Sequence, residues 1–175
     1  MKIDTAVALS LGSNLGDRAD YLQQAVDHLQ QADWFHVSRV SEIYETDPVG
    51  PIEQSAFYNI AVTGETSASP LRLLEHTMAV EEQLGRDRDE PVGGPRTLDI
   101  DILLYGEFTL WTRALTLPHP RMAERRFVLE PLCAIAPDWK HPNTNSAISG
   151  LLTRCTDEHG VRNLHQTLTN LEQIA

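Results

Sequence analysis

Cys133 and Cys155 are the only cysteines of the chain. They share no CxxC spacing, and no His/Cys cluster of zinc-binding type accompanies them. This argues against a disulfide framework or a structural zinc, and a reducing, cytoplasmic setting is expected. Long apolar runs are missing as well. The first one, Ala6 to Leu11, is far shorter than a membrane span or the apolar part of a secretion signal. Positive charge is scarce: 14 Lys and Arg face 25 Asp and Glu, a net charge of −11. General affinity for nucleic acid or for an anionic membrane is therefore not expected. No GxxxxGK[ST] loop occurs, the glycines of GSNLG (Gly12 to Gly16) are wrongly spaced for a dinucleotide fingerprint, and no serine sits in a nucleophile elbow. Repeats, low-complexity tracts and linkers are absent too.

What is present is an ordinary globular composition, 41% apolar and 22% charged over 175 residues, which suits one domain spanning 1–175 with its own core. Thr5 to Leu11 reads as a buried strand, followed by a turn and a helix capped by Asp17, with Leu22, Ala25, Val26 and Leu29 on its inner stripe. A strand over Val37 to Tyr44, a Pro/Gly-punctuated loop from Thr46 to Phe57 and a strand over Phe57 to Gly64 come next. Ser69-Pro70 opens a second helix, whose stripe is read as Leu71, Leu74, Met78 and Glu81, with Gly85 as its stop. Thr97 to Tyr105 is a strand, and Gly106-Glu107 turns the chain into a short hairpin strand, Phe108 to Trp111. Phe127 to Ala136 reads as a helix, and Leu164, Leu168 and Leu171 give the tail, Val161 to Ile174, an amphipathic helical spacing. The order strand, helix, strand, strand, helix, strand predicts an α+β fold, a ferredoxin-like βαββαβ sheet with helices on one face and additional C-terminal helices.

The chemistry concentrates in GGPRTLDIDIL, Gly93 to Leu103. With period two, Leu98, Ile100 and Ile102 share one face of the strand while Asp99 and Asp101 share the other. Two like charges side by side are costly to bury unless a cation or hydrogen bonds compensate. The plain alternative is an edge strand with a polar outer face. Arginines tilt the balance: Arg96 lies three residues upstream, and Arg86 and Arg88 one loop earlier. Carboxylates able to hold Mg²⁺ beside guanidiniums able to hold phosphate are the equipment of phosphoryl transfer. His119, flanked by Pro118 and Pro120, is the histidine to place in a site. The loop from Thr46 to Phe57, with Asn59 beyond it, offers an aromatic face and amide hydrogen bonds suited to a flat heterocycle, with Phe127 as an opposite wall. Both phenylalanines also suit plain core positions. Gly12 and Gly16 are read as serving the tight turn, and Asn14 as either a turn residue or one reaching the site.

GSNLGD, ETDPVGP with FYNIAV, EEQLGRDR, GPRTLDIDIL and LTLPHPRMAERRFVLEPL, in that order from about Ala6 to Pro137, resemble the 6-hydroxymethyl-7,8-dihydropterin pyrophosphokinase family. The resemblance implies transfer of the β,γ-diphosphoryl group of ATP to the hydroxymethyl oxygen of the pterin, with release of AMP, in folate biosynthesis. A non-catalytic paralogue or a Mg-dependent phosphohydrolase would be the alternatives. It implies that Asp99 and Asp101 hold two Mg²⁺ ions, and that Arg86 and Arg96 are catalytic with them. Glu81, Arg86, Arg88, Arg96, Ile102, Thr116, His119 and Arg125 would surround ATP. Thr46, Pro48, Val49, Phe57, Asn59 and Phe127 would form the pterin pocket. A monomer is expected, with no nucleic-acid or membrane partner. The chain departs from well-known bacterial members at Val92-Gly93, where they carry Arg-Trp, at Ala114, where they carry arginine, and at Asp47, where proline is common.

Overall fold

A computed structural model describes residues 4–87, 89 and 93–169. Its centre is an antiparallel sheet with β1 (Thr5–Ser13) between β4 (Phe57–Thr66) and β5 (Asp99–Tyr105). The outer side of β4 pairs with two short strands, β2 (Phe35–Val40) toward one end and β3 (Tyr44–Thr46) toward the other. The single strand expected over Val37 to Tyr44 is thus broken. Ser41 interrupts it, its Oγ accepting the N–H of Ala61, and Ile43 turns its backbone to the tail, bonding with Leu164 and Gln166.

Period-two alternation decides which side each residue of the sheet serves. Val7, Leu9 and Leu11 of β1, Ile60 and Val62 of β4, and Ile100 and Ile102 of β5 join a core with α1 (Arg18–Gln30) and α2 (Pro70–Gln83). Ala8, Ala61 and Leu103 face the other way, into a second core with α3 (Arg126–Ile135) and α4 (Ile148–Arg154). Helices therefore cover both faces, not one. Burial of each Leu or Val contributes roughly 1.5–3 kcal/mol, so the two clusters together fix the strand register.

The helix ends follow the sequence. Asp17 accepts the N–H of Asp20, Ser69 accepts that of Arg72, and Gly85 (φ +82°) ends α2 in a left-handed conformation. The buried stripe of α2 is a correction: Leu73, Thr77, Val80 and Glu81 point inward, whereas Leu71 and Met78 are exposed. Both sets have helical spacing, and the apolar residues that α1 and β5 present choose between them.

Two further expectations are corrected. The strand after Gly106 is shorter, β6 (Leu110–Trp111), and pairs with β7 (Thr116–Leu117). The tail is not a helix within the described residues. It forms β8 (Val161–Asn163) against β3, and Leu164 and Leu168 then pack on the first core without helical geometry. Leucines three and four apart can seal a core edge from an extended chain as well as from a helix. Leu171 lies outside the described residues.

Candidate active site

Cross-strand register builds the site. Gly12 lies opposite both Asp99 and Asn59, and Ser10 opposite both Asp101 and Ala61. One row across the sheet therefore reads Asp99, Gly12, Asn59, and the next reads Asp101, Ser10, Ala61. Neighbouring strands are about 4.8 Å apart, so the first carboxylate and the amide stand roughly 10 Å apart across one floor. The central strand contributes only small residues there, which leaves room above it. A Cβ on Gly12 would sit 2.6 Å from Asn59 Oδ1. Gly12 serves this close approach, and not the turn as the sequence suggested.

The room is a cavity of about 450 Å³. Its lining brings together Thr46, Val49, Phe57 and Asn59 from the loop side, Asp99, Asp101 and Arg96 from β5 and its approach, and His119, Arg125 and Phe127 from beyond. Asn59 Nδ2 donates to Thr46 Oγ1 at 2.6 Å, both groups being buried. The Arg96 guanidinium lies 5.3 Å from the centre of the Phe57 ring, and that of Arg125 5.5 Å from the Phe127 ring.

The two aspartates differ in their partners. Asp99 accepts from Arg86 at 2.6 Å and has Arg96 Nε at 3.5 Å. Asp101 has His119 Nε2 at 3.8 Å and Arg125 at 4.0 Å, with no side-chain hydrogen bond among the described residues. Burial, and then the charge of Asp99, push the Asp101 carboxyl up to about 6. Burial, followed by the arginines at 125 and 121, pushes His119 down to about 4, so its ring is neutral at pH 7. Its Nδ1 accepts the N–H of Arg121, which leaves the proton on Nε2, toward Asp101. The His119 N–H in turn bonds to Leu103 C=O, fixing the histidine on the outer edge of β5.

No group of three His, Cys, Asp or Glu side chains able to hold a metal occurs among the described residues. Two carboxylates side by side on one cavity, Asp101 without a side-chain hydrogen bond among the described residues, do fit Mg²⁺, which keeps waters and takes oxygens from substrate phosphates.

Several expected residues stand outside the cavity lining. Glu81 is buried and accepts both Arg86 and the N–H of Ile100 at 2.7 Å, so it holds β5 and the arginine in place. Arg86 sits behind Asp99, Ile102 belongs to the first core, and Thr116 lines a separate hollow beside β6. Pro48 is half-buried and off the lining. Arg88 lies outside the described residues, as does Val92.

The sequence left Asn14 undecided and passed over Gln54. Asn14 exchanges bonds with Arg96, accepting its N–H at 2.8 Å and donating its own N–H to Arg96 C=O. Its Nδ2 reaches Gln54 Oε1 at 2.9 Å and Ser55 C=O at 3.0 Å, and Gln54 Nε2 donates to Gly93 C=O at 2.8 Å. A small amide thereby joins three loops. Only the polar character of GSN beside a strand end signals this in the sequence.

A family model described as 7,8-dihydro-6-hydroxymethylpterin-pyrophosphokinase (HPPK) matches residues 8–137. A 2-amino-4-hydroxy-6-hydroxymethyldihydropteridine pyrophosphokinase of Bacillus subtilis is 47% identical over 154 residues, 88% of this chain and 87% of that protein. One from Pseudomonas aeruginosa is 40% identical, over 87% of this chain and 93% of its own. A Plasmodium falciparum HPPK-DHPS structure with pterin and p-hydroxybenzoate superposes with a TM-score of 0.69 at 18% identity, which shows the shared fold. The alignment takes in 87% of this chain and 44% of that longer one.

Proposed function

The chain belongs to the 7,8-dihydro-6-hydroxymethylpterin-pyrophosphokinase family, and from that membership we propose how its cavity performs diphosphoryl transfer in folate biosynthesis. The protein is an ATP-dependent pyrophosphokinase. The pterin hydroxymethyl oxygen attacks the β-phosphorus of ATP, and the bond from that phosphorus to the α-bridging oxygen breaks. AMP leaves with that oxygen, and the hydroxyl proton passes to solvent.

The observation that carries the residue assignment is the row Asp99, Gly12, Asn59. It supports a pterin over Asn59, Thr46 and Phe57, with Phe127 as the facing wall, and a triphosphate over Asp99 and Asp101. Two Mg²⁺ ions held by the aspartates would neutralise the triphosphate and polarise the β-phosphorus. Arg96 and Arg125 reach the same cavity and would follow charge toward the departing AMP, with Arg86 behind Asp99. His119, neutral, would donate from Nε2 to a phosphate oxygen. Reactants fixed in line on one floor avoid an entropic barrier of several kcal/mol, on the order of 7–11 at the limit. The strand order β5, β1, β4, then β2 with β3 supports a ferredoxin-like reading of the sheet.

AMP formation from ATP and Mg²⁺, with and without the hydroxymethyl-dihydropterin, tests this. Pterin-dependent AMP is expected, and AMP or phosphate released equally without pterin would defeat the assignment. Acidity gives a second check. A proton on Asp101 competes with the cation, so the rate should fall below pH 6 or so. More Mg²⁺ should move that limb to lower pH, while His119 adds no limb near the usual histidine range. A limb indifferent to Mg²⁺ would disconnect Asp101 from the cation. Gly12→Ala should raise the pterin KM by about ten-fold, since its methyl group displaces Asn59; an unchanged KM would remove Asn59 from the pterin contacts.

A further inference from the structure

The segment from Asp157 to Asn163 lies beyond the residues that the family model matches, yet it is bonded to both walls of the cavity. On the loop side, β8 places Val161 opposite Thr46. The Asp47 N–H donates to Gly160 C=O at 3.0 Å, and the Gly160 N–H donates back to Asp47 Oδ2 at 2.9 Å. Arg162 adds an ion pair to Glu45 at 2.5 Å. These bonds hold Thr46 and Asp47, which line the cavity where the loop leaves β3.

On the other side, Arg125 precedes α3 without offering a side-chain cap. Asp157 supplies one from a distant part of the chain, its Oδ2 accepting the N–H of Arg126 at 2.9 Å. Its Oδ1 is occupied by His159, through the backbone N–H at 3.1 Å and Nδ1 at 2.5 Å. The Asp157 side chain is only 8% exposed, so the cap is a fixed contact. The next residue of α3 is Phe127, which lines the same cavity as Phe57 and Thr46. One short turn, Asp157 to Gly160, thus grips both walls at once.

We propose that Asp157 and Gly160 are positioning residues for the heterocycle: they set the gap between the Thr46–Asp47 wall and the Phe127 wall, and so govern pterin affinity. The inference rests on the pterin reading of this cavity. Neither residue lines the cavity. Gly160 bonds to the Thr46–Asp47 wall, so its substitution is insulated from ATP, whereas the Asp157 cap adjoins Arg125 as well as Phe127. The occupation of the position by Asp47 is part of the device, because a proline there could neither donate an N–H nor accept one through a carboxylate.

Steady-state kinetics with each substrate varied in turn, alongside thermal melting, tests the proposal. Asp157→Ala loses the cap. Gly160→Ala would put a Cβ 2.6 Å from Asp47 Oδ2 and drive that carboxylate off the Gly160 N–H. Each should raise the pterin KM about five-fold, and for Gly160→Ala the ATP KM and kcat should stay within about two-fold of wild type. Asp157→Asn keeps an oxygen acceptor for the Arg126 N–H but gives up the bonds to His159, so it should recover the pterin KM in part, to a value between those of wild type and Asp157→Ala. The two alanine variants act on opposite walls, so Gly160→Ala reports even if Asp157→Ala folds poorly. A pterin KM unchanged in both, or both substrates' KM rising together in Gly160→Ala, overturns the proposal. A wild-type enzyme without pterin-dependent AMP formation overturns the pterin reading and this inference with it, whereas an active wild type with indifferent variants overturns this inference alone.

Discussion

Asp99→Asn and Asp101→Asn, changes that keep shape and remove charge, should each cut pterin-dependent AMP formation at least about 10²–10³-fold. Among the described residues the only other carboxylate lining the cavity is Asp47, on the loop side after β3, so no neighbour on β5 can take over the balance of charge against a triphosphate. The two variants should differ in stability, and in opposite directions. Asp99 holds Arg86 at 2.6 Å, so its loss leaves a half-buried guanidinium with fewer partners. Asp101 is the reverse case. Its folded-state value, about 6, is raised from the 3.8 of a free aspartate. The stability of its protonated form is fully present below the lower figure and is lost as pH rises through the higher one. Ionised Asp101 therefore destabilises the ligand-free fold at neutral pH, and Asp101→Asn should melt at or above wild type while Asp99→Asn melts below it. Thermal melting and initial rates on the same preparations check both statements. Near-full activity in either variant would remove the aspartates from the mechanism.

Arg96→Ala should lower kcat by about 10²-fold. The Arg96 Nε is buried and has no hydrogen-bond partner among the described residues, Asp99 standing at 3.5 Å outside bonding geometry. A donor left open beside an acid and above the Phe57 ring is suited to an anionic oxygen that is absent from the ligand-free protein. Its backbone is fixed by Asn14, so the guanidinium starts close to where it is needed. Arg96→Lys should recover little, because an ammonium cannot stack on Phe57 and bridge two oxygens together. Measured kcat for the two variants decides this: full recovery by lysine would reduce the role of Arg96 to charge alone.

Local patterns carried much of this into the sequence. The alternation of β5 identified Asp99 and Asp101 as sharing a face, because side-chain direction in a strand depends only on parity. Asp17, Ser69-Pro70 and Gly85 marked helix ends through contacts a few residues long. What escaped is non-local. Nothing near Gly12 tells that Asn59 lies across from it; that fact belongs to the β1–β4 register. Leu71 and Leu73 are equally apolar, and only the surfaces of α1 and β5 pick the inner one. Leu164 and Leu168 keep helical spacing while the chain runs extended, because β3 offers an open edge to Val161–Asn163 and the backbone pairs there first.

Arg86, bound to Asp99 and to Glu81 at once, acts as a placeholder. A divalent ion held at Asp99 would therefore have to share that carboxylate with a guanidinium already seated behind it. Phosphates of a bound nucleotide would offer Arg86 a second anionic partner, so the ion would be expected to bind together with the nucleotide and not alone.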